Sequence, residues 1–282
     1  EMCIRDRSRI TGGLLVRDHD YLETAGQWFF CVVGDVHPPD GFFAYLKYIP
    51  GPGPWRRGGR SFSRSLKSYS MSELKENLET LRRLRPHYIR RDPVIGAEMS
   101  YVPADEIVRH YGCREAVKRL MDKGERDEVE ENAVRFIDEL SRESKVGLEY
   151  FGLTGSLLLG IHHPDSDIDL IVYGRKNFWK VLETVETLGY SGWRNGVNHI
   201  TERYPISRRE AEKLASRVRH KGTYRGKPFS IHGVREKDEI EEQYGERVYR
   251  MVGLARAKLE VIDERDSGFT PAIYLCLLYT SD

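Results

Sequence analysis

Residues 149–173 read EYFGLTGSLLLGIHHPDSDIDLIVY, and this stretch decides the fold. Glu149 to Leu153 is a short buried-strand pattern, after which Thr154, Gly155 and Ser156 turn the chain into the apolar run Leu157, Leu158 and Leu159. A glycine at such a turn lets the backbone approach a phosphate closely. A helical turn opening at Leu157 would add free N–H groups to the Ser156 hydroxyl as donors for the β- and γ-phosphates of a nucleoside triphosphate. The connector Ile161 to Ser166, with two histidines, a proline and an aspartate, then breaks the helix. In Asp167 to Tyr173, Ile168, Leu170 and Val172 share one strand face while Asp167 and Asp169 share the other. Carboxylates at i and i+2 lie roughly 6–7 Å apart along a strand and repel each other unless a cation lies between them. Hard oxygen ligands suit magnesium or manganese. Two such ions about 3.5–4 Å apart would activate a hydroxyl and stabilise departing pyrophosphate. The reaction class would be in-line displacement at an α-phosphorus. A lone D-x-D is ordinarily a turn or a solvated strand end, and a lone Gly-Ser a loop, so the conjunction carries the reading.

Phe151, Gly152, Leu153, Thr154, Gly155 and Ser156, through Asp167, Ile168, Asp169 and Leu170, resemble the signature of the DNA polymerase beta-like nucleotidyltransferase superfamily. Its members include CCA-adding enzymes, poly(A) polymerases and antibiotic nucleotidyltransferases. The resemblance spans Gly147 to about Val234. It implies an α+β fold with a mixed sheet and flanking helices, magnesium or manganese, and a nucleoside triphosphate donor, ATP being expected. More broadly the chain resembles an archaeal group of predicted nucleotidyltransferases, over Phe29 to Tyr48 and Phe269 to Tyr274. One departure stands out. A third carboxylate usually arrives on a later strand, and the matching segment here, Gly226 to Val234, offers Ser230, Ile231 and His232 instead. Glu260 and Asp263, on an expected strand from Ala257 to Asp263, are the substitutes, with His232 as a further ligand or base; solvent-facing carboxylates and a packed histidine are the plainer roles for them.

Both chain ends are set aside. Residues 1–6 and 276–281 can be encoded by nearly reverse-complementary nucleotide strings that match a common sequencing-library transposon end. Segments 1–7 and 276–282 are therefore read as scars, and the native chain as lying within Ser8 to Leu275. Of the cysteines this leaves Cys31 and Cys113, whose spacing suggests neither zinc nor a disulfide framework and is simplest as buried thiols in a reducing compartment. No apolar run is long enough to span a bilayer, and no signal segment remains, which makes a cytoplasmic protein the expectation. With 282 residues, 39% apolar and 32% charged, the chain can build one large or two modest cores and is not a disordered polymer. A net charge of +1 decides nothing about nucleic acid, because distribution matters more than the sum.

That distribution is uneven. Between Asp40 and Glu73 there is no acidic residue, while Lys47, Arg56, Arg57, Arg60, Arg64 and Lys67 alternate with Tyr45, Tyr48, Trp55, Phe62 and Tyr69 around a Gly/Pro-rich turn from Pro50 to Gly59. Trp55, Arg56, Arg57 and Arg60 are the candidate acceptor-binding residues, suited to phosphate contact and base stacking; a solvated hairpin loop with inward aromatics is the plainer alternative. Trp28 to Val33 and Phe42 to Ile49 read as an antiparallel pair. Ser70 and Glu73 have capping-box spacing before a helix that Pro86 ends, Tyr88 to Tyr101 reads as irregular or weakly stranded, and Ala104 to Met121 as one or two short helices. Domains are placed at 8–123 (α+β), 124–235 (the nucleotidyltransferase core) and 236–275 (a helix and a hairpin, Ala257 to Ile262 with Phe269 to Tyr274, which could join the N-terminal strands). Within the core, Val129, Ala133, Phe136, Ile137 and Leu140 mark an amphipathic helix, Asn177 to Leu188 another, and Ser207 with Glu210 starts a basic helix running to Lys221. Tyr224 to Val234 reads as a hairpin.

Two functions follow. In one, Gly155 and Ser156 hold the triphosphate, and Asp167 and Asp169 bind metal and carry transfer to an RNA end or a protein hydroxyl. In the other, the same pocket binds nucleotide or RNA without turnover. A carboxylate from Glu260 or Asp263 in the pocket would favour the first, and a pocket facing only Ser230 and His232 the second.

Overall fold

In a computed structural model, residues 15–66, 70–193 and 196–279 are described. Lys67 and Tyr69 of the basic stretch lie outside them, as do residues 1–7 of the expected scars and 280–282. The chain divides into two compact units: one holds the described residues up to 50, 64–110 and from 235 onward, the other 51–63 and 111–234.

The first unit begins with β1 (Tyr21–Thr24), β2 (Trp28–Val32), β3 (Gly41–Arg57) and β4 (Arg60–Arg64), followed by α1 (Met71–Leu84), β5 (Ile89–Asp92), β6 (Ala97–Pro103) and β7 (Ile107–Tyr111). These strands form one sheet in the order β5-β6-β3-β2-β1-β7, with β4 beside β3. The expected antiparallel pair is present, with Phe30 opposite Leu46 and Val32 opposite Ala44. Leu22, Phe30, Val32, Leu46 and Val102 supply a core that Leu81 of α1 and Tyr88 complete. Ser70 caps α1 by accepting the Glu73 amide at 3.3 Å.

Pro50 to Gly59 is not a loop. Pro50, Pro52 and Pro54 alternate on the exposed side of β3, while Gly51 and Gly53 lie on the other, where Cβ atoms would meet Ser63 and the Phe62 carbonyl. Prolines whose missing N–H falls at such positions leave an edge strand intact. Only Gly58 and Gly59, both at positive φ, form the turn. Segment 88–101 is likewise a hairpin: the Asp92 carboxylate accepts the amides of Val94 and Ile95 at 2.9 and 2.8 Å and closes the β5–β6 turn. Within 104–121 only Cys113 onward is α-helical, since β-branched Ile107 and Val108 enter β7.

The second unit comprises α2 (Cys113–Met121), α3 (Glu128–Ser144), β8 (Phe151–Leu153), α4 (Gly155–Leu159), β9 (Ile168–Tyr173), α5 (Arg175–Thr187), α6 (Gly196–Arg203), α7 (Arg208–Ala215), β10 (Lys221–Tyr224) and β11 (Lys227–Val234), besides the β3–β4 tip. Its sheet runs β10-β11-β9-β8; β11 and β9 are parallel and the outer pairs antiparallel. The fold is thus α+β with a mixed sheet and flanking helices, as expected. Reciprocal capping by Asp127 and Glu130 starts α3, whose Phe136 packs 4.5 Å from Tyr224 and 4.7 Å from Phe229 by ring centroids. The basic helix stops at Ala215, and Lys221 opens a strand instead.

Returning to the first unit, 236–258 contains a single 3-10 turn, Lys237–Glu239, in place of the expected α-helix. Then β12 (Leu259–Asp266) and β13 (Ile273–Leu278) pair only with each other, so the terminal hairpin does not extend the N-terminal sheet. Arg235 anchors its base, donating to the Thr270 carbonyl at 3.1 Å and pairing with Asp266 at 3.3 Å.

His37 of the first unit sits between the rings of Phe42 and Phe43, and its Nδ1 accepts the Phe43 amide at 3.2 Å. Burial pushes its pKa down to about 4, overriding the pull of Asp35. The unfolded chain therefore binds more protons between that value and about 6.5, so stability is full above the window and is lost as pH falls through it. In urea denaturation between pH 7 and 5, His37→Asn should reduce the acid loss of stability by about 1–2 kcal/mol, leaving the share of His220, whose burial likewise pushes it down to about 4; an unreduced loss in the variant would assign it to other groups.

Candidate active site

The parallel register sets the geometry. Asp169 on β9 stands opposite Ser230 on β11, and Ser230 opposite Lys221 on β10. Residues paired across neighbouring strands project to the same face, about 4.8 Å apart, so an aspartate, a serine and a lysine form one row. Every residue of β9 is buried except Asp169, which is half-buried. Asp167, two residues earlier, is exposed. The Asp169 carboxylate accepts the Ser230 hydroxyl through Oδ1, and Ser230 Oγ lies 3.0 Å from His232 Nε2.

Gly155 closes the other side. It opens α4 at φ +66°, and a Cβ built there would lie 2.6 Å from Asp169 Oδ2. Glycine is therefore required twice, by backbone conformation and by the carboxylate seated against it. The Thr154 amide donates to the Asp169 carbonyl at 3.0 Å, tying the turn to β9. Ser156 is buried beside it in the first turn of α4, where backbone N–H groups have no intrahelical partner. In the connector, the His163 amide donates to Ser166 Oγ at 3.0 Å and the Ser166 amide to the His163 carbonyl at 2.9 Å, which sets where Asp167 begins.

The sequence reading missed a basic cluster facing these aspartates. Burial lowers the Lys221 pKa, while Asp169 and Asp167 draw it up and Arg203 pushes it down further. Lys221 Nζ stands 4.5 Å from the Trp193 ring centroid, and the His199 ring packs edge-on to the same indole at 4.8 Å. His199 contacts Arg203 and is held below its usual pKa by burial, then by Arg203 and Lys221. The available signal was strand pairing: Lys221 belongs to the Arg225–Gly226 hairpin rather than to the helix before it.

The candidate acceptor residues divide by strand alternation. Arg56 and Arg60 are exposed, whereas Trp55 and Arg57 turn inward on the hairpin tip. Arg57 donates to the Leu159 carbonyl at 3.1 Å and to Tyr111 Oη at 2.9 Å, and Trp55 packs edge-on to His163 with centroids 5.8 Å apart. The Arg56 amide donates to the Ile161 carbonyl at 3.1 Å. The tip thus fixes the carboxyl end of α4 and the connector. Glu260 and Asp263 lie in the other unit on β12, where Glu260 accepts the Tyr279 hydroxyl and Asp263 binds Arg265 at 2.6 Å. Asp127, Glu130 and His162 offer ligand atoms within 4.8 Å of one another, but Lys123 Nζ grips Glu130 at 2.6 and 2.7 Å and Asp127 caps α3.

A family model described as a nucleotidyltransferase domain matches residues 133–224. The chain carries a nucleotidyltransferase domain. The match encloses the Gly-Ser turn, both aspartates and Lys221, and stops before Ser230 and His232. Along nearly its whole length the chain is similar to an uncharacterised protein of the archaeon Methanocaldococcus jannaschii, at 25% identity over 279 residues, covering 95% of this chain and 82% of that protein. No solved structure matches the chain. Among the described residues, no helix is long and apolar enough to cross a membrane.

Gly160, at the other end of α4, also has positive φ but nothing near its missing Cβ. Gly160→Ala should cost about 1–2 kcal/mol of backbone strain. Gly155→Ala should cost more, because Asp169 must also move. Equal losses in urea titrations of the two variants would show that Asp169 is not seated against Gly155.

Proposed function

We propose that the nucleotidyltransferase domain catalyses divalent-metal-dependent transfer of a nucleoside monophosphate from a triphosphate, ATP being the expected donor, to a hydroxyl of an RNA end or a protein side chain. The observation that carries this reading is Asp169, immobilised between Gly155 and Ser230 with Asp167 two residues away. A half-buried Asp169 with a positive-φ glycine against it, and an exposed Asp167 just ahead of the strand, offer hard oxygen ligands that suit magnesium or manganese. Asp167 and Asp169 would hold the metal. Such an ion, when bound, neutralises triphosphate charge and lowers the pKa of an acceptor hydroxyl.

The remaining work belongs to the chain. Gly155 and Ser156 bind the phosphates through backbone N–H groups and the serine hydroxyl. Lys221 and Arg203 face the negative charge that develops on the departing phosphates, and Arg57 and the Arg56 amide keep α4 and the connector in place while they do so. The acceptor oxygen bonds to the α-phosphorus, the bridge to the β-phosphate breaks with its electron pair on pyrophosphate, and the hydroxyl proton passes to water. Exposed Arg56 and Arg60 are the acceptor contacts that remain on the hairpin tip, suited to phosphates of an RNA strand. The protein is proposed to act in the cytoplasm.

A second reading has its own support: Ser230 and His232 stand where a third carboxylate was expected, as they would in a nucleotide- or RNA-binding protein without turnover. Label transfer from the four α-phosphate-labelled triphosphates, with magnesium or manganese, into RNA and protein fractions separates the two. Transfer should mark one fraction and fall about a hundredfold or more in an Asp167→Asn, Asp169→Asn variant. Triphosphate binding with no transfer to either fraction would establish the binder.

A further inference from the structure

Asp169, Ser230 and Lys221 lie in register on three adjacent strands. Ser230 brings no charge to the row and spends its hydroxyl on Asp169. Beyond it the Lys221 ammonium is held over Trp193 and couples electrostatically to both aspartates. Arg203 and His199 add positive character behind it. A second divalent ion would find no anionic ligand of its own in this row and would meet that cluster.

We propose that Lys221 stands in for one of the two metal ions of the two-ion arrangement, so that the site takes a single divalent cation together with its triphosphate. This rests on the nucleotidyl-transfer reading and narrows it. Charge balance supports it. Two aspartates, one ammonium and one divalent ion carry the same net charge, plus one, as three carboxylates with two divalent ions. An uncharged Ser230 and a cationic Lys221 therefore together offset one divalent ion. A magnesium-type ion held by two carboxylates and completed by substrate phosphates and water needs no third acid. An ammonium differs from a metal in having only hydrogen-bond donors to offer, so Lys221 contributes fixed charge and orientation without lowering a hydroxyl pKa by direct coordination.

The test counts manganese. The full chain is mixed with Mn2+ and an α,β-methylene nucleoside triphosphate, whose α–β bridge cannot be cleaved by transfer, and bound Mn2+ per bound analogue is read by electron paramagnetic resonance. One ion is expected for the unaltered chain and two for a Ser230→Asp, Lys221→Ser variant. Two ions in the unaltered chain, or one in the folded double variant, would overturn the assignment while leaving nucleotidyl transfer standing. Absence of analogue-dependent Mn2+ binding would remove the metal-dependent reading itself. Should the double variant not fold, Lys221→Met decides: analogue affinity at one Mn2+ should drop about tenfold, while Lys221→Arg stays within about threefold. Unchanged affinity in Lys221→Met would refute the proposal.

Discussion

The arrangement of the second unit depends on one carboxylate. Asp169 is held on one side by the Ser230 hydroxyl from a parallel neighbour and on the other by the bare Cα face of Gly155. The parallel β9–β11 pairing brings Ser230 alongside, and the Thr154 amide on the Asp169 carbonyl brings the Gly-Ser turn alongside. A polar side chain in so buried a strand costs free energy unless its oxygens are satisfied. Here both the satisfaction and the steric room come from Ser230 and Gly155, so contacts that hold the fold also shape the candidate site.

Much of this was legible because the signals are local. Gly155, Ser156, Asp167 and Asp169 lie within one strand–turn–helix–strand unit, and period two places both aspartates on one face without knowledge of any other strand. The amphipathic helices were read from periodicity, and Ser207 with Glu210 does form the reciprocal cap its spacing suggested, whereas the cap of Asp127 with Glu130 went unread. The misreadings have physical causes. In Pro50 to Gly59, glycine and proline suggest a loop by composition, yet their strict alternation puts prolines on the open side and glycines where Ser63 and Phe62 leave no room for a side chain. Asp92 converts a nondescript segment into a hairpin through a turn made by its own carboxylate.

Lys221 was harder to see for a different reason. It stands far along the chain from the aspartates, and only the pairing of three strands brings it to their row. Period-two reasoning assigns a face to each strand but not the register between strands, which depends on turn geometry and side-chain packing. Glu260 and Asp263 illustrate the converse: their place on an expected strand gave no view of the partners they have, Tyr279 and Arg265. The hairpin tip falls between these cases. Its basic and aromatic residues were noticed, but alternation assigns Trp55 and Arg57 to supporting α4 and the connector and leaves Arg56 and Arg60 outward.

The same register argument bears on how the site could change. A carboxylate placed at Ser230 alone would stand between Asp169 and Lys221, where it would be drawn to the ammonium and away from a metal. A neutral residue at Lys221 alone would leave two aspartates without their nearby cation. Both changes make the row one charge more negative, so a second divalent ion offsets the pair and neither change offsets the other; their effects on metal binding should be non-additive, as expected of neighbours sharing one electrostatic environment. On the proposed reading, an uncharged Ser230 on β11 and a cationic Lys221 on β10 together balance one divalent ion, so Asp169, Ser230 and Lys221 would act on metal binding as one electrostatic unit.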